Sequence, residues 1–449
     1  MDKIILLPFI ISTISLLNRS GSQTFILVFI PTLTFLPVYF DTEIISGTPE
    51  IFFWSSALIP ILISWAISNF KGYTYNHMDL IIFLYILVIF FGQWDNSNYK
   101  KAQKLMFNNL LAVFFPYLLT RIYCRDRMML IKMIKIITYS GAIIAIFNLI
   151  EFRMFTNYFD RILRNIWPSY VMWDLGMVMS RWGFKRAFGP FSHPIVSGYI
   201  YAFITPLAIW CYSQNFFKNL RLGKIVLFLN FSGIITSLSR APMIGFFIGL
   251  IIIYYGWSKS KAAISAILVI VITIALIISA PVAIKYASVT RATAIDTEQR
   301  NVAYRKEMWQ AYTEVVLEKP FLGWGRFSVP SVRGIKSIDS EYLGIALSSG
   351  VLALALYLLF LSGTLKTLFN SIHKKDHDDK WARLSWCIAA GWISAIFSQA
   401  TVYSGAQSVQ YLFIIGGMCQ ALDFNKNKIE KSNKNSISDR CVLEFARVL

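Results

Sequence analysis

The amino-acid sequence predicts an all-α, polytopic integral membrane protein with about 12–13 transmembrane helices. Two observations predict this fold class. Of the 449 residues, 56% are hydrophobic and 15% are charged, which is too apolar for a soluble globular protein. Apolar runs also recur along the chain, and many reach the roughly 20 residues that cross a bilayer. Examples are Ile51–Ile67, Leu80–Phe91, Met128–Ile150, Ile225–Leu238, Ala262–Val282 and Ile345–Leu361.

Residues 1–150 are predicted to hold the N-terminal transmembrane helices. The first apolar run, Ile4–Leu17, is short and has no small-residue cleavage site after it. It therefore indicates a first span or a signal anchor rather than a removed signal peptide. The predicted number of spans varies by one because the chain before residue 45 can be divided in more than one way.

The net charge of +19 is explained by orientation in the membrane rather than by nucleic-acid binding. Lys and Arg accumulate in cytoplasmic loops, and here they form clusters at 121–135, 218–224, 259–261 and 374–383. The Lys/Asn/Ser-rich tail, 424–449, is predicted to be cytoplasmic and solvated. An acidic turn with Asp41, Glu43 and Glu50 is predicted to lie outside. The five cysteines are scattered, so neither a metal site nor a disulfide framework is indicated.

Threading the spans between these markers places two long loops, 151–190 and 284–338, on the outer side. They flank transmembrane helices in 191–283 and precede further helices in 339–423. Both loops are basic: 151–189 has six basic and three acidic residues, and 284–338 has nine and five. A solvated surface and an anionic ligand on the outer face both explain this surplus.

The larger loop is predicted to carry an amphipathic helix on the outer membrane interface. Within Asn301–Glu318, residues at three- and four-residue intervals define one helical face, and Lys319–Pro320 ends the helix. That face comprises Val302, Arg305, Trp309, Tyr312 and Val316. Trp167, Trp173 and Trp182 indicate similar interfacial anchoring in the first loop.

Three polar segments begin spans at the outer face. They are Arg186–Pro194, Ser237–Pro242 and Ser337–Tyr342. Each helix would direct its unpaired N–H groups and positive dipole end outwards. A helix N-terminus supplemented by arginine binds phosphate well, so these segments are candidate anion sites. Topology places them on one membrane face but does not by itself make them neighbours.

Each candidate residue has a simpler alternative role. Arg186 and Arg240 could be anchors that extend to the headgroups, and His193 could be a satisfied polar residue at a helix start. Asp339 and Glu341 could complement the helix dipole. These two carboxylates diverge by about 200° on a helix, so at most one can face a given site.

The order and spacing of these segments resemble the O-antigen ligase/polymerase superfamily of bacterial envelope glycosyltransferases (Wzy polymerases and WaaL ligases). The resemblance covers Arg186 to Leu361. Its motifs are Arg186-x-x-Gly189-Pro-Phe-x-His193-Pro194, Ser239-Arg240-Ala, Arg305-x-x-x-Trp309, Pro320-x-x-Gly323-x-Gly325, and Tyr342-Leu343 followed by Gly350.

One departure concerns the base. Ligases of the family usually carry His-Asn before the Tyr-Leu pair, and here Asp339-Ser340 occupies that place. The departure favours a polymerase-like member. It also leaves Asp339, Glu341 and His193 as alternative bases, with Asp339 the first choice.

The resemblance implies a GT-C-like protein of the bacterial cytoplasmic (inner) membrane with a cytoplasmic C-terminus. It would polymerise undecaprenyl-diphosphate-linked oligosaccharides, its donor and acceptor, by an inverting transfer that needs no metal or other cofactor. Arg186, Arg240 and Arg305 would bind the diphosphate. Trp324 and Tyr342 are candidate stacking surfaces for sugar rings. Further partners would be membrane lipids and polysaccharide-assembly proteins such as a chain-length regulator, with no nucleic acid.

Three other functions remain alternatives to a polymerase. A ligase would move polymer from the lipid carrier to another acceptor. A transporter or lipid flippase shares the span count, but such proteins place ionisable residues and paired repeats near the midplane, and the sequence shows neither. A polysaccharide-binding scaffold would also explain the basic loops.

Overall fold

A computed structural model of the chain describes residues 2–44, 47–166, 180–265, 289–335, 337–373, 379–405 and 407–423. In this part of the chain the fold is almost entirely helical, with two short antiparallel hairpins, which confirms the predicted fold class. Among the described residues, six helices are long and apolar enough to cross a membrane, and three more are apolar but shorter. The count of 12–13 spans stays a prediction.

The described helices are numbered here in chain order. They are α1 (Leu7–Asn18), α2 (Gly21–Phe35), α3 (Phe53–Ile67), α4 (His77–Asn96), α5 (Tyr99–Tyr123), α6 (Arg127–Met154), α7 (Tyr158–Ile166), α8 (Pro194–Ser213), α9 (Leu220–Thr236), α10 (Arg240–Trp257), α11 (Thr297–Glu318), α12 (Glu341–His373), α13 (Lys380–Thr401) and α14 (407–423). The strands are β1 (Asp41–Thr42), β2 (Ile51–Phe52), β3 (Ser180–Arg181) and β4 (Phe184–Lys185); Asp41 pairs with Phe52 and Ser180 with Lys185.

Helix α8 is the central element of the bundle, packed by α6, α9, α10 and α13. Its side chains are buried over most of its length, including Tyr201 and Trp210. Glycines allow neighbouring helices to approach closely: Gly249 of α10 faces the backbone of Ala390 on α13. Small residues at such crossings are how membrane helices gain packing contacts without a hydrophobic driving force between them.

Contacts near the ends of the helices define two ends of the bundle. At one end, Trp210 Nε1 donates to Lys380 O (2.9 Å), and Asp79 pairs with Arg121 at 2.6 Å with both side chains buried. At the other end, Asn96 Nδ2 donates to Gly323 O at 2.9 Å. This second end contains all three polar segments and is the one that the positive-inside rule assigns to the outside.

Helix α12 is not one straight span. Gly350 has φ 79° and ψ 175° and divides it into 341–349 and 351–373. In a continuous helix Tyr342 and Tyr357 would lie about 22 Å apart. Their ring centroids are 6.4 Å apart, so the first part folds back sharply against the second. The apolar run Ile345–Leu361 therefore does not form one continuous helix, because a glycine with positive φ interrupts it, although Glu341–Ile372 is still long and apolar enough to cross a membrane.

The break in α12 is occupied by the loop that follows α11. Trp324 N and Gly325 N donate to the carbonyls of Leu347 and Ser348 (2.8 and 2.9 Å), and Val351 N donates to Pro320 O (2.7 Å). These bonds satisfy backbone groups that the helix leaves free at the break. The Pro-x-x-Gly-x-Gly motif thus forms a backbone clamp on the fold-back.

Helix α11 exists as predicted, and one of its faces packs against α12. Met308, Tyr312 and Val315 pack against Leu343 and Leu347, whereas Val302 and Trp309 are 40% and 42% exposed. Of the predicted interfacial face, Tyr312 is thus packed against the protein, and contact of Val302 and Trp309 with the membrane interface stays a prediction.

Helix α6 also extends beyond its predicted end and reaches Met154, so the start of the predicted 151–190 loop is still helical. Several sequence predictions lie outside the described residues. They concern Trp167, Trp173, the greater part of the Ala262–Val282 run, and the tail 424–449.

Candidate functional site

The turn between α9 and α10 is held by two arginines from the hairpin β3–β4 and the loop after it. Arg186 Nε donates to Ser237 O (3.2 Å), and its Nη2 donates to Ser239 Oγ (2.9 Å). Arg181 Nη1 donates to Leu238 O at 2.6 Å. Arg240 is the first residue of α10, at the same turn, and is exposed. Three guanidinium groups from separate parts of the chain therefore meet on one turn.

The pKa of Arg186 is lowered by its surroundings. Burial, followed by the positive charges of Arg181 and Arg240, lowers the pKa of Arg186 to about 10. Arg186 therefore stays cationic at neutral pH, but in an environment that disfavours the cation. A bound anion would relieve this repulsion, which is the electrostatic property expected of a phosphate site.

His193 caps the N-terminus of α8. Its Nδ1 accepts a hydrogen bond from Ile195 N (3.1 Å), and Pro194 takes the first helical position. Burial, and after it the charge of Arg186, lowers the pKa of His193 to about 4, so its ring is neutral at neutral pH. A neutral ring whose Nδ1 accepts carries its proton on Nε2 and can only donate from that atom. This arrangement suits His193 as a cap and a donor, not as a base.

Glu341 begins the folded-back helix and is 7% exposed. Its Oε2 accepts a hydrogen bond from Ser404 N at 2.7 Å, in the loop between α13 and α14. Exposed Arg326, directly after the Gly-x-Gly clamp, interacts electrostatically with the carboxylate. The carboxylate is thus held by one loop and faces a cation from another.

Tyrosine side chains surround Glu341. Its carboxylate interacts electrostatically with the hydroxyls of five of them: Tyr85, Tyr199, Tyr342, Tyr357 and Tyr403. Gln399 joins two, accepting from Tyr357 Oη (2.9 Å) and donating to Tyr199 Oη (3.0 Å). Tyr199 and Tyr357 are buried at 3% and 2% exposure, whereas Tyr403 is 50% exposed, so Tyr403 is the tyrosine of this cluster that a ligand can reach most readily.

The structure brings the three polar segments together. A methyl group on Gly198 would lie 2.7 Å from Ser237 Oγ, so α8 touches the arginine-bearing turn. A methyl group on Gly405 would lie 3.0 Å from Ser192 Oγ, next to His193. The loop that binds Glu341 through Ser404 therefore also borders the start of α8. The arginines and Glu341 lie on two sides of the first turn of α8.

Two predicted site residues lie apart from this cluster. The Asp339 carboxylate accepts from Ser337 Oγ (2.8 Å), and the Asp339 backbone N contacts Met308 Sδ (3.1 Å), so this residue lies beside α11. Arg305 is exposed on α11, and no contact among the described residues joins it to Arg186 or Arg240.

The two aromatic residues proposed for stacking are engaged in packing. Trp324 Nε1 donates to Val315 O (3.0 Å), and its ring lies 4.6 Å from Lys319 Nζ. Tyr342 Oη donates to Ile396 O (2.9 Å). Trp324 thus fixes the clamp loop to α11, while Tyr342 fixes the folded-back helix to α13 with its ring among the tyrosines.

Sequence reasoning missed Arg181 and four of the five tyrosines near Glu341, all but Tyr342. Arg181 lies in a loop in which six basic residues look alike, and only the hairpin pairing directs it to the α9–α10 turn. The tyrosines come from α4, α8, α12 and the 402–405 loop, and no spacing in the sequence relates them.

Comparison with known proteins agrees with the resemblance seen in the motifs. Residues 225–358 match the family model described as O-antigen ligase. The match includes Arg240, Arg305, Asp339 and Glu341 and ends before the inner part of α12. No curated protein matches the chain. Residues 225–358 are thus similar to that family, and the apolar helices together with this match indicate a multi-pass membrane protein.

Proposed function

We propose, from the match of residues 225–358 to the family model described as O-antigen ligase, that this protein polymerises lipid-linked oligosaccharide repeat units. The donor would be an undecaprenyl-diphosphate-linked oligosaccharide, and the product a surface polysaccharide such as O-antigen, capsule or exopolysaccharide. The transfer would invert the anomeric centre on the outer face of the bacterial cytoplasmic membrane.

One observation carries this proposal: a cluster of arginines and a buried carboxylate flank the same helix start. Arg186 and Arg181 hold the α9–α10 turn, and the loop that binds Glu341 lies against Ser192. A glycosyl transfer from a diphosphate needs a cationic site for the leaving group and a base for the attacking hydroxyl.

The arginines are proposed to bind the donor diphosphate. Arg186 is oriented by Ser237 and Ser239, and Arg240 presents its side chain to solvent at the N-terminus of α10. Fixed cations stabilise charge that develops as the diphosphate leaves, and they need no reorganisation at that moment. Arg305 was a third candidate, and Arg181 replaces it in this proposal.

Glu341 is proposed as the base in preference to Asp339 and His193. His193 Nδ1 already accepts a hydrogen bond, and Asp339 accepts from Ser337 and lies beside α11. Glu341 is buried, and the exposed Tyr403, which interacts electrostatically with its carboxylate, would hold the acceptor sugar. The acceptor hydroxyl oxygen attacks the anomeric carbon, its proton passes to the Glu341 carboxylate, and the bond between the anomeric carbon and the phosphate oxygen breaks. Undecaprenyl diphosphate leaves with the electron pair.

The experiment that tests the function uses purified protein with lipid-linked repeat units. New glycosidic linkages between repeat units are expected. Movement of the units between leaflets without any linkage would instead identify a flippase. Binding without either outcome would identify a scaffold.

The donor site is tested by Arg240→Ala. We expect polymer formation to fall by about 100-fold or more, as when one stabilising donor is removed from a transition state. Protein level and membrane insertion should stay normal. Arg221→Ala is the matched control, because Arg221 is an exposed arginine at the opposite end of α9. Wild-type polymer length in the Arg240 variant would contradict the diphosphate role.

A ligase is the second candidate, favoured by the description of the matched family. The two functions differ in what accumulates when the gene is deleted. Surface polysaccharide of single repeats indicates a polymerase, whereas accumulated lipid-linked polymer indicates a ligase. Asp339-Ser340 in place of His-Asn is the sequence feature that supports the polymerase.

A further inference from the structure

Glu151 is a buried carboxylate that none of the sequence motifs contains. It lies on α6, three residues before the helix ends, and is 1% exposed. The residue precedes both the stretch that resembles the superfamily and the matched residues 225–358. A carboxylate in this position is costly unless several groups bind it.

The loop that carries Arg186 supplies those groups. Glu151 Oε2 accepts hydrogen bonds from two consecutive backbone N–H groups, those of Phe188 (3.2 Å) and Gly189 (2.9 Å). Lys185 Nζ lies 3.5 Å from Oε1, so the carboxylate also has an ion-pair partner. One side chain of α6 therefore binds this loop at three points.

The turn at Gly189 is fixed on its other sides as well. Gly189 has φ 58°, a conformation that favours glycine. Asn157 Nδ2 donates to Gly189 O at 2.8 Å. A methyl group on Gly189 would lie 2.6 Å from Asn148 Oδ1, so α6 also lies directly behind the turn. The backbone between Arg186 and His193 is consequently held in one conformation by α6 and the segment after it.

We infer that Glu151 is a positioning residue for Arg186, which it places for the donor diphosphate; this rests on the proposed function. Arg186 reaches the Ser237–Ser239 turn only if the loop leaves β4 in the observed direction. Glu151 sets that direction by binding Lys185 before Arg186 and the backbone of Phe188 and Gly189 after it. It touches no reacting atom.

A carboxylate suits this role better than an amide. One oxygen of the Glu151 carboxylate accepts from both backbone N–H groups, while the other oxygen lies near Lys185. The negative charge of the carboxylate also balances the positive charge of that lysine. Glutamine has the same shape but offers one acceptor oxygen, and its NH₂ group would face Lys185 or the two backbone donors. Glu151→Gln therefore loosens the loop without creating a cavity.

The test measures transfer kinetics with a lipid-linked donor for wild type, Glu151→Gln, Arg186→Ala and the double variant. We expect Glu151→Gln to raise the KM for the donor about tenfold, with a smaller change in kcat. In the Arg186→Ala background the same substitution should change KM little, because the residue that it positions is gone. Glu43→Gln is the control, since Glu43 pairs with Lys104 at the same end of the bundle.

The outcomes separate the two claims. Equal effects of Glu151→Gln in both backgrounds, or a lowered melting temperature with an unchanged KM, would show a purely structural role and overturn the inference. A wild-type KM for Arg186→Ala alone would instead overturn the proposed donor site. Unchanged kinetics for Glu151→Gln, beside a clear Arg186→Ala defect, would overturn only the role of Glu151.

Discussion

At the scale of single residues, hydrogen bonds rather than residue type distinguish the candidate bases. Histidine is the expected base in related ligases, but His193 Nδ1 already accepts a hydrogen bond from Ile195 N at the N-terminus of α8. Asp339 and Glu341 are two positions apart, and both side chains are carboxylates, so residue type does not rank them as bases. Their partners separate them, because Ser337 binds Asp339 while Ser404, 63 residues further along the chain than Glu341, binds Glu341.

The comparison of Glu341→Gln with Asp339→Asn tests this choice. We expect the Glu341 variant to lose about 100-fold or more of the transfer rate, which is the typical contribution of a general base. The Asp339 variant should stay close to wild type, since an amide oxygen still accepts from Ser337. Initial rates at saturating donor measure both. The reverse ranking would move the base to Asp339, as the sequence motif first suggested.

At the scale of elements, the fold-back of α12 places the base. Without the break at Gly350, Tyr342 and Tyr357 would lie on separate turns far apart, and Glu341 would stand outside the tyrosine cluster. The clamp at 320–325 stabilises the break by backbone hydrogen bonds, so side chains in the clamp remain free for other contacts. Asn96 and Gln93 of α4 bind the same clamp, through Gly323 O and Arg326 N.

Gly350→Ala is expected to abolish transfer. The new methyl group would collide with Phe321 O, and the residue would keep a positive φ at a cost of about 1 kcal/mol or more. Limited proteolysis should show cleavage within the clamp, and melting temperature should fall.

Gly344→Ala on the same helix is the matched control. Its methyl group would lie 3.4 Å from the Tyr403 ring, an ordinary contact, and φ there is not positive. Wild-type activity and proteolysis of the Gly350 variant would show that the break does not position the site.

Features that depend on neighbouring residues in the sequence could be predicted, whereas contacts between distant parts of the chain could not. The helices and the His193-Pro194 start follow from local composition and capping, and the structure has them close to where they were predicted. The fold-back was missed because Gly350 stands in an apolar run that satisfies every criterion for a continuous span. The join between Glu341 and Ser404 depends on packing between α12 and α13, which no local pattern records.

At the scale of the whole molecule, the loops segregate to two ends. The arginines of the α9–α10 turn, the clamp and Glu341 lie at one end, and the basic helix ends that carry Lys380 and Arg121 lie at the other. Every described helix from α3 to α10 connects one end to the other, except the short α7. The charge distribution assigns the site to the outer face, and that orientation remains a prediction.

Labelling of matched single cysteines tests the orientation. Ser331→Cys and Ser260→Cys are exposed and lie in the clamp-side loop and after α10, respectively. In intact cells a membrane-impermeant maleimide should label the first, and the second only after permeabilisation. Cys124, Cys211, Cys387 and Cys419 are buried, so with Cys441 replaced by serine the background should be low. If only Ser260→Cys were labelled in intact cells, the orientation of the protein in the membrane would be opposite to the predicted one.

The buried pair of Asp79 and Arg121 has a consequence for how the chain is made. Helices α4 and α5 are joined by residues 97–98 alone, and their far ends carry these two opposite charges at 2.6 Å. Either helix inserted singly would carry its charge into the membrane boundary without the partner that neutralises it in the bundle. The translocation machinery should therefore release the two helices into the bilayer together, as a hairpin that has already neutralised its charge.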